Sequence, residues 1–173
     1  AYNDGVAVID TDYPKAIAAF ENAIVVADQV GQDAADIKEN AIKVLPGLYV
    51  KQANSAVQGK KPAAEILKLA KKSAEVAAKY DNQTAKENSS KLMIAGYNAL
   101  ANEYFSKKDF PNALLTFDSI LAVNPDYSAA IFNKALVYSR LNDDANFEQS
   151  IDKYIEKLKT VNDTVKIKKA LSM

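Results

Sequence analysis

YNALANEYFSKKDFPNALLTFDSILAVNP, residues 97–125, carries two amphipathic helical patterns back to back. Tyr97, Leu100, Ala101 and Tyr104 follow the i, i+3, i+4, i+7 spacing that gathers side chains on one face of an α-helix. Ala113, Leu114, Phe117, Ile120 and Leu121 repeat that periodicity for a second helix, and the break between the two falls at Lys108-Asp109. Pro111 lies in the first turn of the second helix, where a missing N–H costs little. Pro125 ends it, because the residue before a proline is pushed out of the helical region.

The same unit recurs along the chain. Asp12-Tyr13-Pro14-Lys15-Ala16-Ile17, continued by Phe20, Ala23 and Ile24, has the form of Phe110 to Leu121, and Gly5 precedes it as the small residue of a first helix over residues 1–9. Tyr49-Val-Lys-Gln-Ala53-Asn54 matches Tyr97-Asn-Ala-Leu-Ala101-Asn102 at a separation of 48, and Lys60 to Ala64 matches Asp109 to Ala113 at 49. A fourth unit has Ile131, Ala135 and Tyr138, then Phe147, Ser150, Ile151, Tyr154 and Leu158. The pattern resembles the tetratricopeptide repeat (TPR) family. That motif runs aromatic, Leu, small and Tyr in a first helix, then Ala and an aromatic in a second, then Pro. Tyr97, Leu100, Ala101, Tyr104, Ala113, Phe117 and Pro125 occupy those places, with Ile120 where the family prefers a small residue. The resemblance implies an all-α protein, a right-handed α-solenoid of antiparallel helix pairs with about eight or nine helices. It implies one domain over 1–173, with units near 1–31, 33–80, 84–125 and 127–159 and a capping helix over 162–172.

Spacing refines this picture. The small residues of the first helices, Gly5, Ala53, Ala101 and Ala135, are separated by 48, 48 and 34. Only the last step equals the family period of about 34. The excess lies between second and first helices, since Ala16 to Ala53 and Ala64 to Ala101 are each 37 residues but Ala113 to Ala135 only 22. We read it as roughly two turns added to each flanking helix. Helices are predicted near 13–30, 33–58, 62–80, 84–107, 110–123, 127–141 and 146–159. Gly31 is read as a C-terminal cap, with Asp33 or Asp36 starting the next helix. Thr84-Ala-Lys-Glu87 is read as a capping box, with Asn82 as a turn residue. Pro46 is expected either to kink its helix or to mark the meeting of separate helices at Leu45-Pro46-Gly47. Glu65 and Lys68 stand where the family is apolar. Either Ala63, Leu67 and Ala70 form the buried face through a one-residue shift, or that helix packs irregularly.

Composition agrees with a helical protein. Among 173 residues, 49% are apolar and 25% charged, and five glycines with five prolines leave little for long loops or β-sandwiches. Twenty-two basic and twenty-two acidic residues give no global field toward nucleic acid or anionic membrane. The charge is uneven, however: residues 1–36 hold seven acids and one lysine, and residues 37–91 hold eleven lysines and five acids. A solvated face explains this most simply, and a polar contact between copies is the alternative. With no cysteine the chain fits an oxidising or a reducing compartment. No window approaches the ~18 apolar residues of a membrane span, so no membrane insertion is expected. The chain opens at Ala1 inside a helical pattern, from which an upstream leader or segment is expected. With the likeness to bacterial envelope TPR proteins, this places the chain in the periplasm or cell envelope of a bacterium, with the cytoplasm as alternative.

The resemblance also assigns a binding face. First helices of TPR proteins line a concave groove that takes a peptide or a helix. The corresponding places are Val50, Asn54, Val57 and Gln58 in the second unit, Asn98, Asn102, Phe105 and Ser106 in the third, and Phe132, Leu136, Ser139 and Arg140 in the fourth. Asn54 and Asn102 resemble the groove asparagine that holds a ligand backbone, donor and acceptor together in one amide. The basic places with which some TPRs grip a C-terminal carboxylate hold Val50, Asn98, Ser106 and Gln58 instead, leaving only Arg140. Phe105 and Phe132 also suit inter-helix packing, and Arg140 also suits the C-terminal end of its helix dipole. Tyr97, Tyr104, Tyr138, Phe117 and Tyr154 are read as core.

Chemistry finds little to work with. Without histidine or cysteine the chain lacks the commonest general base and thiol nucleophile. Asp143-Asp144 and Asp10/Asp12 fall in turns, where they cap helices. No catalytic residue, metal ligand or cofactor is assigned. The expected function is a non-catalytic scaffold for a protein or peptide partner, and the alternative is a structural subunit that self-associates through its long-helix edge or terminal repeats as a homo-oligomer.

Overall fold

The computed structural model describes residues 1–172. Among them are nine α-helices and no strand. The helices are α1 (Tyr2–Ala7), α2 (Tyr13–Val30), α3 (Ala35–Gln58), α4 (Ala63–Lys79), α5 (Gln83–Ser106), α6 (Phe110–Val123), α7 (Ser128–Leu141), α8 (Asp144–Thr160) and α9 (Thr164–Ala170). A 3-10 turn, Gln32–Ala34, leads into α3. Each helix packs on the next in sequence. The chain divides into two compact units, residues 1–96 and residues 97–173, with the boundary inside α5.

Local chemistry explains the starts and stops. The carboxylates of Asp12, Asp109, Asp143 and Asp163 accept the backbone N–H groups of Lys15, Asn112, Asn146 and Lys166, capping α2, α6, α8 and α9. Pro14 and Pro111 fill first-turn positions that need no N–H. Gly31 ends α2 at φ 82°, a backbone that side chains resist. The turns after α3, α4, α5 and α8 close with a residue at positive φ, respectively Lys60, Asp81, Lys108 and Asn162, and Asn142 does the same after α7. In each, the following N–H reaches back five residues to a carbonyl, as in Asp109 to Tyr104 at 2.9 Å.

Three sequence expectations need correcting or resolving. α5 does not start with a capping box at Thr84-Glu87; it starts at Gln83, and the Asn82 side chain accepts Ala85 N–H at 2.9 Å while Glu87 takes the Gln83 amide. Asn82, earlier in the chain, reaches the orphan donor first. Pro46 neither separates two helices nor ends one: α3 runs unbroken from Ala35 to Gln58, and the proline is buried. Its ring is apolar volume in the core of unit 1, and this burial offsets the lost hydrogen bond. In α4 the one-residue shift is the arrangement found. Ala63, Ile66, Leu67 and Ala70 are buried while Ala64, Glu65 and Lys68 are exposed, so Ala63 replaces Ala64 as the small packing residue.

Unit 1 is centred on Phe20, Leu45, Leu48 and Tyr49, with Ala16, Ile17, Ala41 and Val76 around them. Gly5 lies under the Phe20 ring, where an added Cβ would stand 3.0 Å from Cε2, and Tyr2 meets the same ring edge-on at 5.3 Å. A second cluster joins Ala53, Ala70 and Leu92. Between α4 and α5 the hydroxyls of Ser73 and Ser89, both fully buried, share a 2.7 Å hydrogen bond. Unit 2 has its core around Ile131, Ala135, Ile151, Tyr154, Ile155 and Leu158, with Ala170 of α9 covering it. Of the five aromatics read as core, Phe117 and Tyr154 are buried, whereas Tyr97, Tyr104 and Tyr138 are half-buried.

Candidate functional site

In unit 1, α3 presents Val50, Lys51 and Asn54 beside Asn88, Lys91 and Leu92 of α5, around a cavity of about 330 Å³. Ala53 is fully buried and clusters with Ala70 of α4 and Leu92 of α5. Val50 and Val57 are half-buried against the Ala53–Ala70–Leu92 cluster and form the apolar side. Asn54 and Gln58 are exposed, and Gln58 ends α3. The Lys51 ammonium donates to Asp10 at 3.0 Å, and that bond holds the lysine above its usual pKa range. Lys91 is exposed and pairs with no acid among the described residues. This cavity therefore has two amides and two ammonium groups over aliphatic side chains.

In unit 2, Asn102 and Phe105 of α5 meet Phe117 of α6 and Asn133 and Leu136 of α7 around a cavity of about 210 Å³. Asn102 is exposed and Asn133 half-buried. One turn farther along α5, Phe105 and Ser106 face Lys108, Phe110 and Arg140 across an open depression of about 740 Å³. There Phe105 and Phe110 pack edge to face, with centroids 5.7 Å apart. Arg140 sits in the last turn of α7 and is exposed, so it serves the helix dipole and the depression together.

The remaining assigned residues are used otherwise. Asn98 donates its amide N–H to the Tyr127 hydroxyl at 3.3 Å. Phe132 packs its ring on Tyr154 at 5.0 Å, against the unit 2 core. Ser139 is exposed and lines none of these cavities. Asn88, Lys91 and Asn133 were not singled out from the sequence. Asn88, Lys91 and Leu92 do follow i, i+3, i+4 spacing, but they lie in the added turns of α5, where the repeat pattern supplies no place for them.

Compared with known proteins, the chain matches no family model, no curated protein and no solved structure. No helix among the described residues is long and apolar enough to cross a membrane.

Proposed function

We propose that the chain is a TPR-like α-solenoid scaffold that binds extended protein segments on its first helices, between α3 and α5 in unit 1 and between α5 and α7 in unit 2. One recurring arrangement carries this reading. In each unit an exposed asparagine of one first helix, Asn54 or Asn102, shares a cavity with an asparagine of the next first helix, Asn88 or Asn133, beside apolar side chains. Primary amides offer a donor and an acceptor together, which suits a peptide backbone. The apolar side chains, Val50 and Leu92 in one unit and Phe105, Phe117 and Leu136 in the other, suit alternate side chains of that ligand. The bacterial envelope is the compartment proposed.

The test is capture of a partner from a lysate by the wild type and by Asn54→Ala/Asn102→Ala. A protein held by the wild type and lost by the variant supports the reading; equal retention by both overturns it.

A second reading, self-association, draws on exposed valines. Val25 and Val30 on α2 are 55% and 56% exposed, and Ile37 on α3 is 45% exposed. Sedimentation of Val30→Glu beside the wild type checks it: self-association through this edge predicts a concentration-dependent mass in the wild type only.

A further inference from the structure

Resting on the self-association reading above, we infer that a second copy docks head to tail, the α8–α9 corner of one copy seated on the α2–α3 corner of the next. At the α2–α3 corner, Val26 and Val30 lie one turn apart on α2 and are exposed, and Ile37 is exposed in the first turn of α3. Asp33 and Asp36 stand between them in sequence, exposed and without a basic partner among the described residues. The other charges there answer each other, since Asp28 is bonded to Lys38 at 2.5 Å. At the α8–α9 corner, Val161 closes α8 and is 69% exposed, and Val165 in the first turn of α9 is 77% exposed. Ile167 and Ala170 turn to the unit 2 core, which leaves Val165, Lys168 and Lys169, at i, i+3, i+4, on the outer face of α9. Lys159, Lys168 and Lys169 are exposed and have no acidic partner among the described residues. The nearby acids are engaged elsewhere. Asp163 caps α9 and holds Lys166 at 2.8 Å, Glu156 lines a cavity beside Lys153 and Lys157, and Asp152 lies two turns back along α8.

The two corners complement each other. Each presents aliphatic side chains beside unanswered charges of one sign, the makings of an apolar contact centre with a charged rim. Residues 1–36 hold seven acids and one lysine, whereas residues 157–170 hold five lysines and one acid. Like corners repel, which disfavours α2–α3 against α2–α3 and α8–α9 against α8–α9. Unlike corners attract, and the equal totals of 22 basic and 22 acidic residues leave no net charge to hold copies apart. An anionic lipid surface answers the lysine corner alone; a second copy answers both corners at once. Because the contact joins different patches, it either closes into a ring, two copies included, or propagates as a chain. None of these residues lines the cavities of the binding face, so the contact and that face use different side chains.

The test is sedimentation equilibrium of the whole chain beside Asp33→Lys/Asp36→Lys and Lys168→Glu/Lys169→Glu, at low salt and at about 0.5 M salt. The wild-type mass is expected to rise with concentration, and high salt to weaken the association about tenfold. Each variant alone is expected to stay monomeric, because its two corners now carry one sign, and an equimolar mixture of the two is expected to associate again. Recovery in the mixture also shows that both variants are folded. A mixture that stays monomeric overturns the inference. So does a wild type that is monomeric at every concentration, and with it the self-association reading falls. Binding of that monomer to anionic lipid vesicles, lost in Lys168→Glu/Lys169→Glu, then assigns the lysine corner to a membrane surface. Association that survives Lys168→Glu/Lys169→Glu but fails in Val30→Glu overturns the head-to-tail contact and leaves self-association standing through the α2–α3 edge alone.

Discussion

Gly96 shows how tightly single positions are fitted. An added Cβ would lie 2.9 Å from both Cγ and Cδ2 of Leu67, and Cγ is not a flexible tip that swings aside. Gly96→Ala gains up to about 1 kcal/mol of helix propensity but overpacks the α4–α5 contact by about 1–3 kcal/mol. The expected net is a loss near 1 kcal/mol, read as a lower urea midpoint. Pairing it with Leu67→Ala should cost less than the two changes summed, because the clash disappears. Tyr49 makes a second prediction. Burial foremost, and then its 2.7 Å hydrogen bond to Glu21, push the phenol above its ordinary pKa. A raised folded-state pKa means the native chain holds the proton more tightly than the unfolded one. Its contribution is therefore complete below about pH 10 and declines as pH rises beyond that. Tyr49→Phe is expected to cost about 0.5–1.5 kcal/mol at neutral pH. The gap to wild type should narrow in urea titrations above about pH 10, and a constant gap would contradict the raised pKa. Neither contact was legible in the sequence. The spacing marked Ala53 and Ala101 as close-approach residues, and both are fully buried, but Gly96 and Tyr49 meet partners that no local pattern names.

Helices and their ends were the most legible level, because periodicity and caps are local signals. α2 and α6 match their predicted bounds, and the others depart by a residue or two at either end. The failures are also local in cause. Asn82 outcompeted Thr84 as a cap, and Glu65 and Lys68 displaced the buried face of α4 by one residue. Turn conformation was not legible: the residues at positive φ after α3 and α5 are lysines, Lys60 at 50° and Lys108 at 59°. A Cβ in this region is strained by about 1 kcal/mol or somewhat more, while asparagine tolerates it better. Lys60→Gly should therefore stabilise by about 0.5 kcal/mol after the greater unfolded-state freedom of glycine is subtracted. Asn142→Gly, at φ 55°, should gain less or nothing. Thermal melts of the two variants check the order, and a larger gain at Asn142 would contradict it.

For the molecule as a whole, the sequence reading takes four repeats as one continuous array, whereas contacts divide the chain into residues 1–96 and 97–173. Repeat spacing reports which segments are alike; it does not report where contacts are dense. The candidate site suffers the same limit, since Asn54 and Asn102 follow from the repeat but Lys91 becomes a neighbour of Asn54 only once α3 and α5 are packed. The division has an energetic consequence. Leu48 belongs to the unit 1 core and Leu158 to the unit 2 core, and each is 2% exposed. Truncation to alanine at either site removes about 2–5 kcal/mol through lost burial and the cavity left behind. In native-state hydrogen exchange, Leu48→Ala should lower protection chiefly in α2, α3 and α4, and Leu158→Ala chiefly in α7, α8 and α9. Amides of α5 should respond to both variants, because its hydrogen-bonded run from Gln83 to Ser106 belongs to both units. Equal loss of protection throughout the chain in both variants would mean that the two cores open as a single cooperative body, as tightly coupled repeats do.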